Sequence, residues 1–262
     1  MNESFYSAAV GAYQQQLRMN VHANNVANVN TYGFRAERPQ FGELMNRNVV
    51  GINDEELPKG VGARMIQATV DFATNRGLTE TGYKYDFAID GPGFFALYDP
   101  TNGEISYTRD GAFTKAQFWF EPDEAAMAAA AEAGEEAQPT SIWRLTDNEG
   151  RCVLDQQGNF IVVSADNAYD DEEQLAFQVG VFDFAIHEGM EHADSARFLA
   201  TERNGQLYLG TGVVKQGVLE QSNTDMALEM IKVIESQRAF SACLRMVTTS
   251  DEIETTFNQL RG

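Results

Sequence analysis

Both ends of this chain carry a hydrophobic repeat too long for a compact domain to hide. From Asn2 to about Val29 no proline interrupts the chain. Phe5, Ala9, Ala12, Met19, Ala23 and Val26 recur there, with Gln16 filling the one gap. The steps alternate four and three residues, the heptad spacing of a helix that lays one seam against a partner. At the other end Ser222, Asn223, Thr224 and Asp225 offer caps for a second long helix. Its seam is Met226, Met230, Val233, Gln237, Phe240, Leu244 and Val247, and then shifts by one residue to Met246, Ser250, Ile253, Phe257 and Leu260. A helix from 223 to 261 would be roughly 58 Å long at 1.5 Å per residue. The two seams are the expected assembly interface. An intramolecular hairpin of the termini is the plainer alternative, but helices of about 28 and 39 residues leave a third of the longer one unpaired. Gln16 and Gln237 each sit fourth of seven along their seams, so antiparallel pairing would bring both amides into one buried layer; a wet edge is the other place for them.

Between the ends the chain reads as short strands. Asp86–Asp90 alternates, Gly91-Pro92-Gly93 turns the chain, and Phe94–Tyr98 resumes it. Asn102-Gly103 and Asp110-Gly111 are hairpin-type turns. Further runs at Trp143–Leu145, Cys152–Leu154, Asn159–Val163 and Phe177–Phe182 follow at hairpin spacing. The expected fold class is therefore mixed: long N- and C-terminal α-helices forming a coiled-coil-like stem, with a central all-β domain, an irregular sandwich or barrel of short strands. The expected divisions are 1–35 with 218–262 as the helical assembly domain, 36–84 as an extended connection, and 85–217 as the β domain. Residues 116–141 interrupt the strands with six acids, no base and nine alanines, which reads as a short acidic helix or a solvated loop.

Charge narrows the function classes. Against 39 Asp and Glu stand 19 Lys and Arg, a net charge of −20, which disfavours nucleic acid and anionic lipid as partners. No apolar run approaches the ~20 residues that span a bilayer, and Met1–Phe5 lacks the basic and apolar regions of a secretory signal. Cys152 and Cys243 cannot frame a disulfide fold and read as small buried side chains. His187 and His192 are five apart, not the four that sets two imidazoles on one helix face. The cluster Asp166, Asp170, Asp171, Glu172 and Glu173 does not match an EF-hand loop. Asp86 or Asp90 with Asp110 could imitate a glycosidase pair, but aspartates beside Gly91 and Gly111 suit turns better. Gly60-Val61-Gly62 lacks the Lys-Ser/Thr of a phosphate loop. No catalytic, cofactor-binding or metal residue is assigned, no cofactor or small-molecule substrate is expected, and an enzyme is disfavoured.

After the first helix comes Ala23-Asn24-Asn25-Val26-Ala27-Asn28-Val29-Asn30-Thr31-Tyr32-Gly33-Phe34-Arg35. Asparagine amides compete with the backbone and favour caps and turns, and Gly33 supplies a flexible corner. Asn24, Asn25, Asn28, Asn30, Gly33 and Phe34 are accordingly read as a structural joint, where Gly33→Val should impair assembly and spare the β domain. This run resembles the N-terminal signature of the bacterial flagellar rod and hook family. Gly217–Asp225 with Gln237-Arg238-Ala239-Phe240 resembles its C-terminal signature, and Ile89–Phe95 followed by Tyr107–Phe113 its middle. The three matches are collinear, and within the family the distal-rod type is favoured, the proximal rod next.

The resemblance implies a structural subunit of the basal-body rod that self-assembles through its terminal helices into a tubular drive shaft transmitting torque. It implies a helical homo-oligomer, contact with other rod and hook subunits, and export by the flagellar apparatus without a cleaved signal peptide. The alternatives are a hook protein or hook-basal body homologue, or, from another class, an extracellular ligand-binding β module.

Overall fold

A computed structural model describes residues 3–44, 47–50, 56–59, 62–73, 77–120, 140–163, 178–194 and 196–261. Most of the acidic insertion and the Asp166–Glu173 cluster lie outside these residues. The chain divides into two units, one of residues 1–29, 35–74 and 223–262, the other of residues 30–34 and 75–222.

The first unit holds helix α1 (Glu3–Ala27), strands β1 (Glu37–Glu43), β2 (Arg47–Val50), β3 (Glu56–Lys59) and β4 (Ala63–Val70), and helix α2 (Met226–Arg261). Strand β1 pairs antiparallel with β4, with an irregularity between Gln40 and Phe41. Strands β2 and β3 form a second ribbon. The Gln14 side-chain oxygen accepts the Met65 N–H at 2.6 Å, tying α1 to β4. Asp225 caps α2, its carboxylate accepting the N–H groups of Ala227 and Leu228. No helix among the described residues is long and apolar enough to cross a membrane.

In the second unit the strands are β5 (Leu78–Glu80), β6 (Phe87–Asp90), β7 (Phe94–Tyr98), β8 (Ile105–Thr108), β9 (Thr114–Phe120), β10 (Thr140–Thr146) and β11 (Cys152–Val153). They continue with β12 (Val162–Val163), β13 (Val181–Phe184), β14 (Glu191–Asp194), β15 (Arg197–Leu199), β16 (Leu207–Leu209), β17 (Val213–Gln216) and β18 (Val218–Glu220). Ten of them, β7 to β16, make one open, branched sheet whose main path runs β12-β10-β11-β7-β8-β15-β14; β6 pairs with β17 and β5 with β18. The turn at Asn102-Gly103 joins β7 to β8, with Gly103 at φ +72°, as Asn-Gly pairs do in hairpins. Phe87, Ile89, Phe95, Leu97, Phe113, Leu145, Val153, Ile161, Val163, Val179 and Val181 pack together as the core.

The expected fold class needs correction on two counts. The strands build one branched sheet with two-stranded ribbons, not a sandwich or barrel, because short strands with many partners branch from β7 and β10 rather than stacking two faces. The helices do not form a coiled-coil stem on apolar seams. They run antiparallel within the chain, Ser4 meeting Ser250 at 3.2 Å and His22 meeting Glu229 at 2.7 Å. This is the pairing that helix length argued against. The line that α2 buries is Glu229, Ser236 and Ser250, with Val233, Phe240, Cys243 and Val247 half-buried between them. It keeps a heptad spacing, but alternate positions lie one residue before the apolar ones and are small or polar.

Candidate assembly interface and joint

The asparagine-rich run stabilises two different places. Asn25 is fully buried, and its amide pairs both ways with the backbone of Glu37 at the start of β1. Its Nδ2 donates to the Glu37 carbonyl at 2.8 Å and its Oδ1 accepts the Glu37 N–H at 2.9 Å. The same Nδ2 reaches Glu229 Oε2 at 3.1 Å. Glu229 is buried too, and its carboxylate also takes the His22 Nδ1–H at 2.7 Å and the Lys232 ammonium at 2.6 Å. Burial raises the Glu229 pKa, but donors from Lys232, Asn25 and His22 outweigh it and hold the carboxyl below its ordinary value. Six residues before Glu229, Asn223 does a parallel job: its Oδ1 accepts the Ala36 N–H at 2.6 Å and its Nδ2 donates to the Asp71 carbonyl at 2.8 Å. By contrast Asn28 closes the end of α1, its amide donating to the Asn24 carbonyl and side chain at 3.0 Å. Asn24 and Asn30 are exposed.

Gly33 and Phe34 belong to the β unit and are buried. The Gly33 N–H donates to the Glu220 carbonyl at 2.9 Å. Gly33 sits at φ +67°, and a Cβ there would lie 2.2 Å from the Asp110 nitrogen and 2.4 Å from the Arg109 carbonyl carbon. The expectation that Gly33→Val spares the β domain is therefore overturned, since the collision is with β-unit backbone that cannot move aside. Arg109 completes this node. Its guanidinium donates to the Ile89 carbonyl at 3.3 Å, to the Gly91 carbonyl at 2.7 Å and to Glu220 Oε2 at 3.2 Å, and it stacks 5.5 Å from the Phe94 ring centre. Four motif segments far apart in the sequence thus meet at one buried ion pair.

Along the helices, Ala12 is buried, Phe5, Met19 and Val26 are half-buried, and Ala9, Gln16 and Ala23 are exposed. On α2, Val233, Phe240 and Val247 are half-buried, while Met226, Met230, Gln237, Leu244, Ile253, Phe257 and Leu260 are exposed. Gln16 and Gln237 therefore form no buried layer; Ser236, fully buried, turns its hydroxyl to the Lys232 carbonyl at 2.7 Å instead. Phe257 is 67% exposed and Leu260 79%, on the part of α2 that runs past Ser250 and the start of α1. Tyr6 and Tyr13 are exposed on α1.

The carboxylates weighed as a catalytic pair have separate structural roles. Asp90 pairs with Lys215 at 2.6 Å, Asp86 accepts the Thr81 hydroxyl at 2.5 Å, and Asp110 accepts the Ala112 N–H at 3.1 Å within its turn. Burial, helped by Asp147 and Asp86, pushes the Asp110 carboxyl above its ordinary value against that hydrogen bond. His187 is held by Asp183 at 2.6 Å and His192 by the Asp194 carbonyl at 3.3 Å. No group of metal-ligating side chains comes together among the described residues. Cys152 is buried, which raises its thiol pKa, and Cys243 is half-buried on the seam; both are free.

Three family models match the places where these nodes lie. Residues 5–35 match the flagella basal body rod protein model, residues 88–118 the D1 domain of the flagellar hook protein FlgE/F/G, and residues 215–260 the C-terminal model of flagellar basal body rod FlgEFG proteins. The chain is 30% identical to the flagellar basal-body rod protein FlgG of Buchnera aphidicola from Schizaphis graminum, over 99% of this chain and all of that one. The chain belongs to the flagellar basal-body rod protein family. FlgG of Bacillus subtilis is 28% identical over 97% of both chains, and FlgF of Mesorhizobium japonicum 28% over 96% of both. In this rod protein the matched ends include Asn25, Gly33, Glu220 and Glu229, the residues that hold the two nodes. Arg109 and Glu220 stood in the sequence motifs without a role. His22, Glu229 and Lys232 gave no signal of their own, because a buried carboxylate is recognised only by partners brought from across the chain.

Proposed function

We propose that this chain is a non-catalytic structural subunit of the flagellar basal-body rod, of the distal type, that assembles into a tube through the exposed faces of α1 and α2. The observation that carries this is the exposed apolar surface of α2, Met226, Met230 and Leu244 on one side of the helix and Ile253, Phe257 and Leu260 on another side near its end, which α1 does not cover. Fully burying one such side chain contributes roughly 1.5–3 kcal/mol, so even a few of them stabilise a contact between copies. Its neighbours would be further copies and other rod and hook subunits, delivered by the flagellar export apparatus, and the tube would transmit torque. Electron microscopy and sedimentation of the concentrated full-length protein test this. Rods or ordered filaments are expected; a protein that stays monomeric at the highest soluble concentration would favour a ligand-binding β module instead.

A further inference from the structure

His22 is 3% exposed, and its two ring nitrogens have opposite fates. Nδ1 lies 2.7 Å from Glu229 Oε2. Nε2 is buried and has no hydrogen-bond partner among the described residues. Facing a carboxylate, the neutral ring places its one proton on Nδ1 and leaves Nε2 as a bare acceptor. That arrangement provides no acceptor, among the described residues, for a second ring proton.

We propose that His22, Glu229 and Asn25 form an acid-sensitive latch that joins α1 to α2 and β1 above neutral pH and releases the end of α1 as the medium turns mildly acidic. A second proton must go to Nε2, which is buried and faces no acceptor among the described residues. The charged groups facing His22 are Glu229 and Lys232 from α2 and Arg18 from α1 itself; the network reaches β1 through the Glu37 backbone. Glu229 favours the imidazolium, but its charge is already shared with Lys232 and Asn25, while Lys232 and Arg18 oppose a further cation. Desolvation outweighs the Glu229 hydrogen bond and holds the ring below its ordinary value of 6.5.

The sign follows from linkage. The opened chain takes the proton at its ordinary value and the closed one only at lower pH. The stability that His22 contributes is therefore whole above about 6.5 and declines as pH falls towards the folded value. Glu229, also lowered, is lost later, below its ordinary 4.5. The first event is thus release of the histidine, and carboxylate protonation follows it. Because Asn25 shares Glu229 with His22, opening also breaks the pairing of Asn25 with Glu37, so the last turns of α1, the first turns of α2 and the start of β1 should loosen together.

The test is amide exchange on the full-length monomer, corrected for intrinsic rates, at pH 7.0 and 5.5. In the wild type, protection over residues 18–27 and 226–236 should fall severalfold between the two, by no more than about eightfold, which is the full extra protonation a free ring of ordinary pKa gains over that interval. His22→Gln keeps a donor to Glu229 and cannot titrate, so its protection should stay level. Equal losses in both proteins, or no loss in the wild type, would overturn the latch. Should His22→Gln fail to fold, NMR titration of the wild-type ring decides: an inflection below 6.5 coincident with the loss of protection supports the latch, and one above 6.5 overturns it.

Discussion

Replacing Asn25 by alanine removes the amide that bonds both the N–H and the carbonyl of Glu37 and takes one donor from the Glu229 carboxylate. Buried polar groups left without partners cost about 1–3 kcal/mol each, so Asn25→Ala should destabilise the helical unit by roughly 2–4 kcal/mol. Asn28, three residues on, bonds to Asn24 in an exposed turn, and Asn28→Ala should change stability by no more than about 0.5 kcal/mol. Urea unfolding followed by the helical circular dichroism signal checks both, and equal effects would show that the run acts as a uniform cap. The sequence made Asn25 legible as a joint residue, because four asparagines in seven positions signal caps and turns. It could not tell Asn25 from Asn28, since what separates them is a carboxylate 204 residues away. Gly33 shows the same boundary of legibility. Its need for positive φ could be read locally, while its contact with Arg109 and Asp110 is a property of the β unit.

At the scale of elements, the helices were easy to find and their faces were not. A heptad repeat of apolar residues normally marks the buried side, and here half of it does: Phe5, Ala12, Met19 and Val26 on α1, Val233, Phe240 and Val247 on α2. The other half points away, and Glu229, Ser236, Cys243 and Ser250 occupy the positions beside α1. Under the proposed assembly, a chain that pairs its helices internally and offers apolar surface to neighbours would divide its repeat in this way. The division predicts opposite outcomes for two substitutions on α2. Ser236→Leu puts a large side chain where there is no room, and should destabilise the monomer by about 1–3 kcal/mol. Met230→Ser removes an exposed side chain, should leave monomer unfolding within about 0.5 kcal/mol, and should weaken self-association. Thermal unfolding and sedimentation velocity on each variant separate the two. If Met230→Ser destabilises the monomer as much as Ser236→Leu, the face assignment is wrong. Strands were more legible because their signals are local: the Asn102-Gly103 turn needs no distant partner, although Phe87, Ala88 and Ile89 are all buried and do not alternate. How those strands branch around β7 and β10 depends on pairings across the chain, which no window of sequence contains.

For the whole molecule, the decisive question is which part of the chain folds by itself. The eleven side chains of the β core lie between Phe87 and Val181, and none comes from α2. The helical unit is different. Removing residues 223–262 deletes Asn223, which holds the Ala36 N–H and the Asp71 carbonyl, and Glu229, which holds His22 and Asn25. It also leaves α1, a helix of 25 residues, without its partner, and isolated helices are marginal in water. The truncated chain should therefore lose the helical signal of α1 as well as that of α2, while the β unit keeps a cooperative melt. Solubility should survive, because residues 223–262 hold six acids and four bases and their loss only moves the net charge from −20 to −18. Assembly should not survive, since the exposed apolar surface goes with α2. Circular dichroism, a thermal melt and sedimentation of the concentrated fragment measure these three outcomes. Filaments formed by the fragment would show that the β unit drives assembly, and a non-cooperative melt would show that its sheet depends on the helical unit for its fold.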